Sequence, residues 1–131
     1  FRYLKDSTLT GSQTFVATYS ANLDRSGIAV YEVYGWEPKD PPENKYQNEA
    51  AGNKTYNWAS LPQGSKVVCL AYNTKPNDIV WTNAEESYDI TMEASDQVSV
   101  GIKNVTTTGA QSFTVASSGG AYSIAFVLRS E

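Results

Sequence analysis

The 131 residues carry ten Lys and Arg against fourteen Asp and Glu, a net charge of −4, with no His and a single Cys. Charged residues make up 18%, below the roughly 25% of an average soluble protein, and hydroxyls fill the gap with 14 Ser and 12 Thr beside nine Tyr and three Trp. This excludes a disordered chain, which lacks aromatic and β-branched residues. It excludes a membrane-spanning helix, which needs about 18 apolar residues in a row. It excludes an internal disulfide and a basic nucleic-acid surface. At this length residues 1–131 read as one domain with its own core.

The sequence starts at Phe1, which reads as a removed leader or an excised piece. Residues 1–22 read as an aromatic-tipped extension, a turn at Thr10-Gly11, and a strand over 14–20. In that strand Phe15, Ala17 and Tyr19 form one row, and Val16, Thr18 and Ser20 the other. Such a strand pairs within its own sheet or is donated to the sheet of a neighbouring copy. Residues 27–34 read as a strand with apolar residues on both faces, among them Tyr31, Val33 and Tyr34. Residues 35–53 hold Pro38, Pro41 and Pro42 among mixed charges and read as a long surface loop.

Residues 55–59 read as a short strand and 61–64 as a turn. Residues 66–72 read as a second strand with two apolar faces. Cys69 lies within it and reads as a small buried apolar side chain. A short strand follows at 79–82. Period-two alternation then dominates. Tyr88, Ile90 and Met92 form the first apolar row; Val98, Val100 and Ile102 the second; Phe113 and Val115 the third; Tyr122, Ile124, Phe126 and Leu128 the last. Each row is expected to face a core. Polar turns separate the strands at 94–96, 106–109 and 117–120. The expected fold is an all-β, two-sheet sandwich of eight or nine antiparallel strands, jelly-roll or immunoglobulin-like in its connections.

The sequence offers little catalytic chemistry. Without His there is no Ser-His or Cys-His pair, and with one Cys no zinc set. Phosphate-binding glycine loops are absent from the sequence. Glu85, Glu86, Asp89 and Glu93 are carboxylates of the type glycosidases use. Glu85 and Glu86 would point to opposite faces of a strand, and Asp89 and Glu93 to the outward one. Asn77, Asp78, Asn83, Glu85 and Glu86 gather oxygens around a short strand, yet match no calcium loop and read as turn residues. The expectation is a protein that is not an enzyme and holds no metal or cofactor.

Two binding roles remain. Strands apolar on both faces need a cover, supplied by the 35–53 loop or by another subunit. This favours an extracellular structural subunit that self-assembles into a homo-oligomer or polymer, a surface filament or coat. Phe15, Val16, Tyr19, Tyr31, Val33 and Tyr34 are its candidate contacts, and residues 1–22 a candidate exchange strand. The alternative is a carbohydrate-binding module. There Trp36, Trp58 and Trp81 offer ring faces to sugars and Asn77 and Asp78 bind hydroxyls; Tyr46 and Tyr56 are further aromatics near the loop. Insertion into a membrane surface fits less well, since the loop charges are mixed in sign. Asn53 and Asn104 head N-x-T sequons and are candidate glycan acceptors on a secreted chain.

Overall fold

The computed structural model describes residues 12, 14, 16–18, 20, 43–49, 52–75, 78–92, 96–119 and 121–130, with the backbone alone for 43–49 and 121. The chain groups into two compact units, Phe1–Glu37 and Pro38–Glu131.

In the first unit Ser12, Thr14, Val16, Ala17, Thr18 and Ser20 are exposed and lie outside any strand. The strand expected over 14–20 is therefore not formed at its described positions. β-propensity expresses packing against neighbours, and these side chains are exposed. The strand expected over 27–34 lies outside the described residues.

The second unit is an all-β sandwich of eight described strands: β1 (Glu43–Glu49), β2 (Gly52–Leu61), β3 (Lys66–Asn73), β4 (Val80–Thr82), β5 (Glu85–Met92), β6 (Asp96–Asn104), β7 (Gly109–Ser117) and β8 (Ala121–Leu128). Five form one sheet in the order β1-β8-β3-β6-β5, and three form the other, β2-β7-β4. Every pairing is antiparallel. First pairs with eighth, second with seventh and third with sixth, as if one long hairpin had been wrapped around a barrel of two layers. That is the jelly-roll form of the sandwich. β5 departs from the wrap by joining β6 instead of extending the smaller sheet.

Residues 35–53 are not a continuous loop. Glu43–Glu49 pairs along its whole length with β8, from Glu43 opposite Val127 to Glu49 opposite Ala121. Its sequence, ENKYQNE, lacks apolar alternation; main-chain hydrogen bonds to a neighbour already in place supply the order instead. The turn expected before β3 does form. The Ser65 amide donates to the Pro62 carbonyl at 3.2 Å, and Gly64 takes a φ of 86°, the left-handed conformation such turns reserve for glycine at their third residue.

The core is built from unequal halves. The smaller sheet contributes large rings: Tyr56, Trp58 and Phe113 stack with centroids 5.2 to 6.2 Å apart, and Trp81 tilts against Phe113 at 6.2 Å. The larger sheet answers with small residues: Cys69 and Ala71 of β3, Ser99 and Gly101 of β6, and Ser123 and Ala125 of β8. Gly101 leaves room for the Trp81 ring; a Cβ there would lie 2.6 Å from it. Hydrogen bonds cross between the sheets, among them Trp81 Nε1 donating to Ser99 Oγ at 2.8 Å and Tyr56 Oη pairing with Ser123 Oγ at 2.8 Å.

This arrangement reverses the expected facing of β6 and β8. Val98, Val100 and Ile102, like Tyr122, Ile124 and Phe126, point away from the inter-sheet core, because the space inside is already filled by aromatics from the opposite sheet. β5 gives Tyr88 and Ile90 no core either, for both are exposed.

Candidate functional site

Consecutive strand residues face opposite ways, so β3 has two rows. Val67, Cys69 and Ala71 line the inner core. Val68, Leu70 and Tyr72 form the other row, and the register carries it across the sheet. Tyr122, Tyr72, Val98 and Ile90 lie in one line; Ile124, Leu70, Val100 and Tyr88 in the next; Phe126, Val68 and Ile102 in the third. The outer face of the five-stranded sheet is thus a second apolar surface, of a kind a two-layer sandwich normally covers with polar side chains. Its centre is shielded, with Val100 at 0% and Phe126 at 9% exposure, while its rim is open at Tyr88 (46%), Ile90 (42%) and Tyr122 (47%). Tyr72 packs against Tyr122 at 6.2 Å and donates its hydroxyl proton to the Asp96 carboxylate at 3.0 Å.

The β5 edge borders this face. Among the described strands only β6 pairs with it, and Glu85 to Thr91 are all exposed. A bulge between Glu86 and Tyr88 shifts its register, so the regular part of the edge runs from Tyr88 to Met92. Glu86 accepts a long bond from Ser99 Oγ at 3.4 Å, and Asp89 accepts one from Gln97 Nε2 at 2.8 Å.

The carbohydrate candidates separate. Trp58 is buried in the stacked core and has no ring face for a sugar, which corrects its reading as a platform. Trp81 is half-buried, packed on Gly101 and Phe113 and tied to Ser99, so it too serves the packing. Tyr56 is a core residue. Trp36 and Asn77 lie outside the described residues, as does the side chain of Tyr46. Asp78 is committed elsewhere. Its Oδ2 accepts from the Gly119 amide at 3.0 Å, the Asn73 amide at 3.0 Å, the Ser117 hydroxyl at 3.3 Å, and the Ser118 amide. Burial pushes the Asp78 carboxyl up, but the bonds from Ser118, Gly119 and Asn73 outweigh it and hold it down at about 2. Gln97 completes this polar lock at one end of the sandwich, accepting from the Asp78 and Ile79 amides at 2.8 and 3.1 Å. The pairing of residues 73, 78, 97 and 117–119 depends on the wrap of four strands, and no spacing in the sequence signals it.

Of the assembly candidates, Val16 is described and exposed at 80%. Phe15, Tyr19, Tyr31, Val33 and Tyr34 lie outside the described residues. Asn53 and Asn104 are both exposed, the first on β2 and the second at the end of β6. Among the described residues no three or more Asp, Glu or Cys side chains gather as metal ligands do, and no helix is long and apolar enough to cross a membrane. A shallow depression of about 440 Å³ lies on the smaller sheet, lined by Asn57, Trp58, Ala59, Ala110, Gln111 and Ser112.

No family model matches the chain, and no curated protein matches its sequence. Among solved structures it is similar to the tripod from the baseplate of bacteriophage Tuc2009, with 12% identity and a TM-score of 0.41 over 99% of this chain and 83% of that one. A likeness at that level bears on neither mechanism nor ligand.

Proposed function

We propose that this chain is a non-enzymatic structural subunit that self-assembles into an extracellular filament or coat. The observation that carries the reading is the open apolar rim of the five-stranded sheet at Tyr88, Ile90 and Tyr122. Isolated exposed apolar residues need no explanation, but an apolar rim beside an edge that only β6 pairs among the described strands is what subunit contacts are made from. Residues 1–22 act as the exchange strand in this reading, and the exposure of Val16 outside any strand supports it. Head-to-tail donation of that kind can run on as an open filament where the rotation between copies does not close a ring.

Light scattering with negative-stain microscopy on the untagged chain tests this. Fibres or regular particles are expected, and deletion of residues 1–20 should remove them. A monomer near the 14.3 kDa of the chain at every concentration would refute the reading.

A glycan-binding module is the second reading. It no longer draws on Asp78 or on a free Trp58 ring face, and the observation that favours it is the depression that Trp58 lines together with Asn57, Gln111 and Ser112. Jelly rolls carry coats and lectins alike, so a glycan array separates the two.

A further inference from the structure

The assembly reading leaves open which edge receives the donated strand. We infer that the β5 edge is the acceptor and that its occupant is the 1–5 segment of a neighbouring copy; the inference rests on the assembly reading.

Charge selects the pair. β5 carries Glu85, Glu86 and Asp89 and no cation. Like charges set opposite each other across antiparallel strands are destabilising, so β5 disfavours pairing with another β5. Residues 1–5 read Phe-Arg-Tyr-Leu-Lys. A strand built from them shows Phe1, Tyr3 and Lys5 on one row and Arg2 and Leu4 on the other. β5 offers Glu85, Tyr88 and Ile90 on its outer row and Glu86, Asp89 and Thr91 on its inner row. Each row of the donor therefore brings a cation to a row that holds a carboxylate. The donor row with two aromatic rings also matches the row that exposes Tyr88 and Ile90. Adding a strand there extends the apolar face across its open rim and pairs the main-chain groups of the edge.

A charge-swap experiment on the full chain tests this. Glu85→Lys with Glu86→Lys turns the net charge of β5 from −3 to +1, each exchange adding +2 to the three carboxylates of the strand. Both side chains are exposed, and Asp89 is left alone because it holds Gln97. Arg2→Glu with Lys5→Glu reverses the donor. Either pair should weaken association about tenfold or more, the sum of several cross-strand charge pairs, and all four together should restore it. Far-UV circular dichroism checks that each variant keeps its strands. If the wild type assembles and the β5 variant assembles equally well, the acceptor edge is wrong while the assembly reading stands. If both pairs weaken assembly and the combination does not restore it, direct pairing of the two segments is refuted. A wild type that never assembles refutes the reading and this inference together.

Discussion

Gly101→Ala tests the unequal packing of the two sheets at its tightest point. The added Cβ would lie 2.6 Å from Trp81 Cδ2 and Cε3 and 2.8 Å from Cζ3, where carbon atoms need about 3.5 to 4.0 Å. The indole must retreat by roughly 1 Å. Phe113 stands against it at 6.2 Å, and its Nε1 is held to Ser99 Oγ at 2.8 Å. A shift of about that size stretches the bond beyond hydrogen-bonding range. Overpacking costs about 1 to 3 kcal/mol, and a buried donor left unmet costs about 1 to 3 more. The expected loss is about 3 kcal/mol, a large part of the roughly 5 to 15 kcal/mol of a whole domain. With a urea slope of about 1.5 kcal/mol per molar, the unfolding midpoint falls by about 2 M. Urea titration by far-UV circular dichroism, at matched protein concentration, measures it. The Trp81→Val background supplies the control. There the ring is gone, so adding the methyl at 101 should cost under about 1 kcal/mol, giving a coupling of about 2 kcal/mol in the double-mutant cycle. A Gly101→Ala protein as stable as the wild type, or an equal cost in both backgrounds, would refute the close approach of Trp81 to β6.

The Asp78 carboxyl is held at about 2, below its value in the unfolded chain, so its contribution to stability is full above about pH 4 and is lost as pH falls through the folded value. Asp78→Asn should be less stable at neutral pH, and its gap from the wild type should close between about pH 4 and 2. Urea midpoints at several pH values read this, and a gap that stays constant would overturn it. Burial pushes the Cys69 thiol up, keeping it protonated and unreactive. It should resist a thiol reagent in the folded protein and label fully in concentrated urea; rapid labelling of the native chain would show that β3 is not where the core places it.

The sequence marks strands well and faces poorly. The alternating runs at 88–92, 98–102, 112–115 and 122–128 all lie on observed strands, as do 55–59 and 66–72. Alternation alone cannot say which row points inward when the middle of both rows is free of charge. Val98, Val100 and Ile102 look like a core row beside Ser99 and Gly101, yet the small row is inside because the opposite sheet brings Tyr56, Trp58, Trp81 and Phe113. The clue in the sequence was β3, apolar on both faces, which signals that the sheet around it has two apolar sides. β1 was hidden for the opposite reason: its order comes from main-chain pairing with β8, to which its polar side chains give no pattern. The Asp78 lock was hidden because it joins residues brought together only by the completed wrap.

The wrap also governs when this molecule can fold. β1 finds its partner in β8, and β2 finds its own in β7. β3 needs β8 along one side. Until residues 121–128 have left the ribosome, β1 lacks the one described strand it pairs with and β3 shows a bare side, with the apolar row Val68, Leu70 and Tyr72 uncovered there. Loops this long must close before their contacts repay the lost chain entropy, which puts folding in the slow, millisecond-to-second regime of non-local β-proteins. A nascent chain stalled before residue 121 therefore leaves β1 and one side of β3 without the strand that joins them, and it is at that stage, ahead of any mature assembly, that it is most exposed to premature pairing with its neighbours.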